Sequence, residues 1–366
     1  MRVLVNAVHA KSGGGVTTLR HLLPALAARP GLTLALAIQR DQRPLFADLP
    51  AAVTLHELPG RGKLGTVLWQ EQVTIPALAR RIGADVVFSP ANYGPLFGPP
   101  AVILLRNAFE VTSLERRLDK RLYWAAVRGL TWACFCRCRR AIAVSAHAAR
   151  AFLAHFGRDG DPRLSVIHHG VAPLYHPPAE GEARESGLLL AVSDLYVQKN
   201  FETLLRALAR LAPTRPELRL EIAGRRLDPA YADRLAALVE ELGLSDRVRF
   251  LGGQPPEVVA ALYRRATLLA FPSLVETFGN PLVEAMASGL PVVCSDAAAM
   301  PEIVADAALL ARPGDDGDFA RQIARLLDEP GLAAELSRRG LARAAAFSWE
   351  RTAAATADVL RAAAER

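Results

Sequence analysis

The sequence predicts an α/β protein of two domains, each built on an open parallel sheet. Three observations predict this fold class. The chain has 366 residues, about two and a half times the roughly 150 residues of a typical domain. Short apolar runs rich in β-branched residues alternate with helical stretches rich in Ala, Leu and Arg, which is typical of a parallel sheet covered by helices on both faces. A Pro-rich stretch near 172–187 divides these runs into two series and is the predicted interdomain linker.

The first series starts near the beginning of the chain. A single Arg there precedes an apolar run that turns polar and Gly-rich, which is expected of a strand and not of a signal peptide. A helix is predicted over Val16–Ala28, directly after this strand. The predicted strands of the series are Val3–Val8, Thr33–Ile38, Val86–Ser89, Ala101–Leu105 and Ala141–Val144.

The second series follows the linker, and each of its strands precedes an amphipathic helical stretch. Its predicted strands are Leu188–Val192, Leu218–Ala223, Val248–Leu251, Leu268–Phe271 and Pro291–Cys294. Ligands of open parallel sheets bind beyond the carboxyl ends of the strands. The loops that follow these strands are therefore where binding residues are expected.

Composition and charge narrow the function classes. With 51% hydrophobic and 22% charged residues the chain is predicted to be globular, which excludes disordered, collagen-like and disulfide-scaffold proteins. No apolar run is long enough to span a bilayer, and we expect a cytoplasmic protein. The net charge of +7 favours an anionic partner. Most of it lies in Glu115–Arg140, which holds eight basic and two acidic residues and no nucleic-acid recognition motif.

The segment Glu115–Arg140 has two interpretations. Apolar and aromatic residues among its arginines are typical of a helix lying on an anionic bilayer, which predicts peripheral contact with the inner face of the membrane. The alternative is a core-packed helix with a solvated basic face. The membrane interpretation places these residues at the surface: Leu118, Leu122, Tyr123, Trp124, Val127, Leu130 and Trp132.

Three of the four cysteines lie in the same segment. On a helix only Cys134 and Cys138 share a face, and Cys136 points elsewhere. Because no second pair of Cys or His follows at zinc-finger spacing, packing within the helix is favoured over a metal site. This cysteine usage suits a reducing compartment.

Two loops after predicted strands hold candidate phosphate-binding residues. In the first loop Gly14 and Gly15 precede a predicted helix, so the backbone can approach a ligand and the helix N-terminus can receive an anion. The loop lacks the GxGxxG pattern of dinucleotide-binding proteins, and a turn without a ligand is the alternative. In the second loop Lys199 precedes a helical run, where its ammonium can reach a phosphate, although a lone Lys is more often a solvated charge.

A third loop carries the strongest signal. A strand ends at Phe271, Glu276 follows in a loop, and Asn280 is predicted to cap a helix whose first position is Pro281. Glu284 then falls in the first turn of that helix. Because the helix is apolar, a buried Glu284 needs a partner, which favours a functional site in which both carboxylates face one cleft.

These residues resemble the E-x7-E signature of the family 4 retaining glycosyltransferases, with Glu276 and Glu284 as its two glutamates. Further motifs carry the resemblance over nearly the whole chain: the Gly-rich first loop, SAHAAR ending at Arg150, VIHHGV at 166–171, QKN at 198–200, FLGG at 250–253, PEI at 301–303 and FSWE at 347–350. The family implies a GT-B fold of two Rossmann-like domains that face each other across a cleft. The implied division is an acceptor-side domain over 1–172, a nucleotide-sugar domain over 173–349, and a C-terminal helix over 350–366 that returns to the first domain.

The resemblance also implies a role for each candidate residue. Glu276 is the implied catalytic residue and binds the donor sugar near its anomeric carbon, while Glu284 accepts the ribose hydroxyls. Lys199 contacts the diphosphate. No metal or other cofactor is implied, since fixed cations and N–H dipoles meet the departing charge. The other implied donor-side groups are the backbone N–H groups of Phe278, Gly279 and Asn280 at the sugar, Gly14 and Gly15 over the diphosphate, and Leu251 and Gly252 beside the base.

The chain departs from the family pattern at two places. Where the family commonly has an Arg that grips the diphosphate, this chain has Asp194, and we expect Arg225 or Arg226 to supply the missing charge. Where the family often carries a His after a strand of the N-terminal domain, this chain has Arg106 and Asn107. Those two residues are the acceptor-side candidates.

The function implied by the resemblance is retaining, metal-independent transfer of a mannose- or glucose-like hexose from a UDP- or GDP-sugar to a hydroxyl. A sugar or lipid-linked acceptor in polysaccharide, lipopolysaccharide or glycolipid assembly is implied. Three alternatives stay open: a metal-dependent transferase, a sugar-nucleotide epimerase on the same fold, and a nucleotide-sugar-binding protein without activity. The first needs an Asp-x-Asp metal site, and the pairs at 159–161 and 316–318 lie in polar Gly- and Pro-rich loops that favour surface turns.

Overall fold

The computed structural model describes residues 1–11, 13–60, 64–106 and 118–365. The chain forms two compact units: unit 1 comprises Met1–Gly170 with Ser348–Arg366, and unit 2 comprises Val171–Phe347. The sequence places the two breaks at 172/173 and 349/350. Each unit holds its own parallel sheet, as the alternation of strands and helices predicts.

The described residues of unit 1 form a seven-stranded sheet in the order β3-β2-β1-β4-β5-β6-β7. Its strands are β1 (Arg2–Asn6), β2 (Thr33–Gln39), β3 (Val53–Leu58), β4 (Val86–Ser89), β5 (Ala101–Leu105), β6 (Arg140–Ala143) and β7 (Leu164–Val166). β1 pairs in parallel with β2 on one side and with β4 on the other. The strand order therefore reverses between β1 and β4, which is where open α/β sheets bind ligands.

Helices from both ends of the chain cover this sheet. They are α1 (Gly14–Ala27), α2 (Leu64–Trp69), α3 (Ile75–Arg81), α4 (Leu118–Arg137), α5 (Ala146–His155) and, at the end of the chain, α13 (Trp349–Ala364). A π-helical turn over 70–74 joins α2 to α3. Trp349 of α13 stacks on His21 of α1 with ring centroids 5.5 Å apart, and Thr352 donates its hydroxyl to the carbonyl oxygen of His168 at 2.8 Å. The last helix thus packs within unit 1.

The sheet of unit 2 has six strands in the order β10-β9-β8-β11-β12-β13. They are β8 (Leu188–Val192), β9 (Arg219–Ala223), β10 (Val248–Gly252), β11 (Leu268–Phe271), β12 (Val292–Ser295) and β13 (Leu309–Ala311). The helices are α6 (Phe201–Leu211), α7 (Pro229–Glu241), α8 (Pro256–Arg265), α9 (Asn280–Ala287), α10 (Met300–Val304), α11 (Asp316–Asp328) and α12 (Pro330–Ala344). Here the strand order reverses between β8 and β11.

The strands that the sequence predicts are all present, and the structure adds three that it does not predict. These are β3, β7 and β13, three of the four edge strands of the two sheets; the fourth, β10, is predicted. An edge strand has one neighbour and more contact with solvent, so its sequence need not be a continuous apolar run. In β3, His56 and Glu57 interrupt the run and hide the strand from pattern reading.

Helix α4 has a packed face and an exposed face. Trp132 stacks on Phe156 with ring centroids 4.1 Å apart, and Val127 is buried. The sequence-based membrane interpretation placed Val127 at the surface, and for this residue it was wrong, because Val127 belongs to the packed face. Leu122 and Tyr123 do lie at the surface, where they are 72% and 46% exposed.

The cysteines of α4 follow the predicted helical geometry. Cys134 and Cys138 are buried, and Cys136 is exposed. Burial raises the pKa of both buried thiols to about 12, so they are packing groups at neutral pH. Residues 115–117 of the basic segment lie outside the described residues. No helix in the described part of the chain is long and apolar enough to cross a membrane.

The two Asp-x-Asp pairs serve as structural contacts of turns. Asp161 accepts a hydrogen bond from Arg163 Nη2 at 2.8 Å. Asp315 caps α11 by accepting from the backbone N–H of Asp318 at 2.8 Å, and the Asp318 carboxylate pairs with Arg321. Across the described ranges there is no group of three or more His, Cys, Asp or Glu side chains placed to hold a metal ion.

Candidate functional site

The candidate site of unit 2 lies at the carboxyl ends of β8, β9 and β11. The loop after β8 is bonded to the loop after β11: the backbone N–H of Leu274 donates to the Gln198 carbonyl at 2.8 Å, and Asn200 Nδ2 donates to the Pro272 carbonyl at 3.3 Å. Asn200 takes a left-handed conformation with φ 52°, which ends a 3-10 helix at 197–199 and starts α6. The two loops are thereby fixed to each other.

Lys199 and Glu276 meet where these loops join. Lys199 Nζ donates to Glu276 Oε1 at 2.6 Å, and the two side chains are 17% and 13% exposed. A charge-assisted hydrogen bond in this partly buried setting orients both side chains more firmly than a surface pair does. The contact brings together an ammonium suited to phosphate and a carboxylate suited to sugar hydroxyls.

Asp194 and Arg225 form a second ion pair, between the ends of β8 and β9. Asp194 Oδ1 accepts from the backbone N–H of Arg225 at 2.9 Å and from its Nε at 3.1 Å, and Oδ2 accepts from Nη2 at 2.6 Å. Burial raises the pKa of Asp194, but the hydrogen bonds from Arg225 outweigh it and leave the pKa below its usual range. Of the two arginines that the sequence offered as replacements, Arg225 is at the site, whereas Arg226 pairs with the exposed Asp233.

Two glycines let this ion pair form. A β-carbon at Gly224 would lie 1.8 Å from the Ser193 carbonyl oxygen, so only glycine allows the two strand ends to come this close. A β-carbon at Gly253 would lie 2.4 Å from Arg225 Cγ, which places the arginine side chain against the loop after β10. Leu251 and Gly252, the residues predicted to border the base, end β10 next to this contact.

Glu284 lies on α9, where two tyrosine hydroxyls hold it. Tyr263, fully buried on α8, donates its hydroxyl to Glu284 Oε2 at 3.0 Å, and the Tyr175 hydroxyl bonds to the same carboxyl group. The two rings meet edge to face with centroids 5.7 Å apart. Burial raises the pKa of Glu284 to about 7, while the two hydroxyls act in the opposite direction. These hydroxyls are the partners that the apolar helix requires.

Helix α9 begins at Asn280, and its N-terminal cap is Gly279. The sequence-based prediction of Asn280 as the cap and Pro281 as the first residue was one position late. Gly279 takes the cap position because its left-handed conformation, φ 88°, starts the turn, and a β-carbon there would lie 3.0 Å from Leu282 Cδ1. No side chain caps this described helix start. Its first N–H groups therefore suit a hydroxyl or anionic ligand.

In unit 1 the Gly-rich loop leads directly into α1. The helix begins at Gly14, before the predicted start at Val16, and Gly13 with φ 62° precedes it. A β-carbon at Gly15 would lie 2.0 Å from Arg106 Nη1. The Arg106 guanidinium thus lies over the first turn of α1, next to two glycines that the sequence predicts as ligand-binding.

Arg106 follows β5 and is fixed by its backbone. Its N–H donates to Asn92 Oδ1 at 2.9 Å. Burial lowers the pKa of its guanidinium from an ordinary value far above neutrality. Its sequence neighbour Asn107, the other acceptor-side candidate, lies outside the described residues.

Two family models match the chain, one for each unit. Residues 12–173 match the model described as Glycosyltransferase Family 4, and residues 176–343 match the model described as Glycosyl transferases group 1. The chain belongs to the family 4 glycosyltransferases. One relative of this chain is the D-inositol 3-phosphate glycosyltransferase of Nocardia farcinica. The two are 34% identical over 228 residues, which are 58% of this chain and 50% of the relative. The chain spans about half the length of the curated relatives it matches.

Solved structures share the fold of this chain. Sucrose-phosphate synthase of Thermosynechococcus elongatus superposes with a TM-score of 0.79 at 22% identity, over 99% of this chain and 98% of that one. HepE of Anabaena, solved with UDP and glucose, superposes with a TM-score of 0.77 at 20% identity, over 99% of both chains. These likenesses show the GT-B fold that the resemblance implied.

Sequence reasoning missed Glu71, a buried polar residue of unit 1. Glu71 is fully buried in the π-helical turn between α2 and α3, where it bonds to Asn6 at the end of β1 and to His9 in the following loop. A local signal was present in the sequence. Glu71 lies between Val67 and Ile75 at four-residue spacing, so on a helix a carboxylate would interrupt an apolar face.

Proposed function

We propose that this chain is a retaining enzyme that transfers a mannose- or glucose-like hexose from a UDP- or GDP-sugar to a hydroxyl acceptor. The contact of 2.6 Å between Lys199 and Glu276 carries the proposal. It sets a cation for the diphosphate beside a carboxylate for the sugar, on loops that directly precede α6 and α9. Glu284, one turn into α9, supplies a second carboxylate at the same strand end.

Lys199 and Arg225 of unit 2 are the proposed diphosphate ligands. Lys199 makes one hydrogen bond to Glu276, whereas Arg225 makes three hydrogen bonds to Asp194. The Nη1 of Arg225 takes part in none of these three. A diphosphate competes with carboxylates for such cations. Lys199 is therefore the main phosphate ligand and Arg225 the secondary one. When Lys199 turns to the phosphate, Glu276 is released to bind the hydroxyls of the sugar.

The nucleoside is proposed to bind between α9 and the end of β10. The Glu284 carboxylate accepts the vicinal ribose hydroxyls, since a carboxylate has lone pairs for several donors and Tyr263 and Tyr175 occupy only part of them. Leu251 and Gly252 border the base. The backbone N–H groups of 278–280 bind the donor sugar.

The proposed chemistry is attack on the same face of the sugar ring as the departing group. The bond between the anomeric carbon and the diphosphate oxygen breaks, and the bond to the acceptor oxygen forms. The acceptor proton passes to the departing diphosphate oxygen. Glu276 stabilises the oxocarbenium-like sugar, while Lys199 and the start of α9 stabilise the leaving charge without a metal ion.

The acceptor is proposed to be a sugar or a lipid-linked sugar of polysaccharide, lipopolysaccharide or glycolipid assembly, met by unit 1. Two observations support a membrane-borne acceptor. Leu122 and Tyr123 are exposed near the start of α4, 72% and 46%, and basic residues including Arg121 and Arg137 lie along the same helix. Apolar and basic groups together are typical of a surface that binds an anionic bilayer.

Nucleotide release from UDP-, GDP- and ADP-sugars in EDTA, with and without lipid-linked acceptors, tests the proposed function. We expect release from a UDP- or GDP-sugar, stimulated by an acceptor, with the anomeric configuration of the donor retained in the product by NMR. Activity that EDTA abolishes would show metal dependence instead. An isomerised sugar formed without acceptor would show an epimerase, and donor binding without turnover a binding protein. Glu240→Gln, an exposed change on α7, is the matched control for changes at Glu276.

A further inference from the structure

A buried carboxylate in unit 1 takes no part in the donor chemistry. Glu71 has a fully buried side chain. Asn6 Nδ2 donates to its Oε1 at 2.8 Å, and His9 Nε2 bonds to its Oε2. We call Asn6, His9, Glu71 and the adjoining Ser89 and Tyr93 the Glu71 cluster. Polar groups buried together in this way cost desolvation free energy, so their presence calls for another explanation.

The cluster fixes the ring of His9. A carboxylate only accepts hydrogen bonds, so His9 Nε2 carries the hydrogen and, in the neutral ring, Nδ1 is an acceptor. Tyr93 packs edge-on against the imidazole, with centroids 4.6 Å apart and planes at 72°. The His9 side chain is 10% exposed. The ring is thus held in one orientation and still reaches the surface of unit 1.

The side-chain amide of Asn6 has an oxygen for which the described residues provide no hydrogen-bond donor. Its Nδ2 bonds to Glu71 Oε1 and lies 3.2 Å from Ser89 Oγ. Because Glu71 needs a donor, the amide cannot be reversed, and Oδ1 is fixed as an acceptor. Oδ1 is buried and has no partner among the described residues. Buried polar atoms are rarely left unsatisfied in native proteins, so a donor group of a ligand fits here.

The position of the cluster in the fold is that of a ligand site. Asn6 ends β1 and Ser89 ends β4, the neighbouring strands at which the order of the sheet reverses. The π-helical turn that carries Glu71 is a feature frequent at functional sites. Tyr93 has both Glu71 and Arg106 as electrostatic neighbours, which joins the cluster to the acceptor-side Arg106.

We propose that the Glu71 cluster binds the acceptor, and that His9 accepts a hydrogen bond from one hydroxyl of the acceptor. His9 Nδ1 and Asn6 Oδ1 are two hydrogen-bond acceptors, so the ligand must offer at least two donors. A polyhydroxylated molecule, a sugar or a cyclic polyol, meets that requirement. Glu71 is a positioning residue that acts through His9. The inference rests on the proposed function.

Kinetics of His9→Gln and Glu71→Gln test the inference, with His56→Gln on the edge strand β3 as the matched control. We expect both changes to lower kcat/KM for the acceptor about tenfold or more, the effect of losing a hydrogen bond to the bound acceptor. The Kd of UDP or GDP should stay within about twofold of wild type, because these residues lie outside unit 2. If Glu71→Gln does not fold, as judged by thermal unfolding, His9→Gln alone decides.

A spectroscopic titration gives a readout that a merely structural role does not change. The probes are octyl α-mannoside, octyl β-glucoside and myo-inositol, added to protein labelled with ¹⁵N-histidine. The Nδ1 signal of His9, assigned by its loss in His9→Gln, should move with at least one probe in wild type and not in Glu71→Gln.

The outcomes separate the inference from the proposed function. Unchanged acceptor kinetics in His9→Gln, nucleotide affinity lost in parallel, or an Nδ1 signal that no probe moves would overturn the inference alone. Failure of the wild type to bind UDP, GDP or ADP would overturn the proposed function first.

Discussion

Each unit holds a carboxylate beside the end of a central strand, and the two carboxylates differ in their partners. Glu284 of unit 2 accepts from tyrosine hydroxyls, whereas Glu71 of unit 1 accepts from an imidazole and an amide. Hydroxyl donors bring no charge, so burial prevails and raises the pKa of Glu284 to about 7. Glu71 bonds to the imidazole of His9 and holds the ring in one orientation. In our proposals Glu284 binds a ligand directly, whereas Glu71 fixes the orientation of another residue.

The largest effect is expected at Glu276. Because the proposed role of Glu276 is to stabilise the sugar as charge develops, Glu276→Gln should lower turnover by about 100-fold or more. Nucleotide affinity should change little, since Lys199 and Glu284 remain. Steady-state nucleotide release and calorimetric titration with the diphosphate measure the two effects, and Glu240→Gln should match wild type. Unchanged turnover in Glu276→Gln would remove it from the catalytic step.

A smaller effect is expected from the tyrosine that holds Glu284. Tyr263→Phe removes one hydrogen bond to a charged group, and we expect nucleotide affinity to weaken about threefold to tenfold. The preference for UDP or GDP over its 2′-deoxy analogue should shrink as well, because the carboxylate that accepts the ribose hydroxyls loses its orientation. If Tyr263→Phe binds the nucleotide and its 2′-deoxy analogue with the same affinities as wild type, the Tyr263 hydroxyl does not position Glu284.

The raised pKa of Glu284 predicts a pH dependence confined to unit 2. Nucleotide affinity should rise as pH increases through about 7, because only the carboxylate accepts both ribose hydroxyls, and Glu284→Gln should remove this component. The folded state prefers the protonated form, so the contribution of Glu284 to stability is present at acidic pH. It is lost as pH rises from the ordinary glutamate range to about 7. Titrations and thermal unfolding across this window, in wild type and Glu284→Gln, measure both.

The smallest effect is expected at the exposed face of α4. Replacing Leu122 and Tyr123 together by Gln should weaken binding to phosphatidylglycerol vesicles a few-fold, since exposed apolar surface contributes about 25 cal/mol per Å² when buried. Nucleotide affinity should not change. The matched control is the double replacement of Leu227 and Phe250, exposed apolar residues of unit 2, which should bind vesicles like wild type. Equal losses in both variants would place no membrane surface on unit 1.

Much of the fold is predictable because central parallel strands are buried on both faces. Val3 and Leu4 of β1, both 0% exposed, belong to an apolar run that needs no further context to be read as a strand. The edge strand β3 carries His56 and Glu57 and has no such run. The sequence therefore predicts the central strands of both sheets and one edge strand, β10, and misses the other three edge strands.

The candidate site divides in the same way. Glu276 and Glu284 follow a strand and lie around a helix start, a local pattern that can be read directly. Asp194 and Arg225 meet only because Gly224 lets β8 and β9 end side by side, so sequence reasoning reached Arg225 as one of two options. His9 and Glu71 come from a loop and a helix far apart in the sequence. Their contact depends on packing and leaves no periodic signal.

Equilibrium binding of UDP and GDP to wild type, Glu284→Gln and His9→Gln is the most direct test of the proposed roles of the two units. In these proposals Glu284 binds the nucleotide and His9 binds the acceptor. We expect nucleotide affinity to fall about tenfold or more in Glu284→Gln, which loses the proposed charged acceptor of the ribose hydroxyls. In His9→Gln we expect an affinity within about twofold of wild type. Equal losses in the two variants, or wild-type affinity in Glu284→Gln, would contradict the proposal that Glu284 binds the ribose and His9 the acceptor.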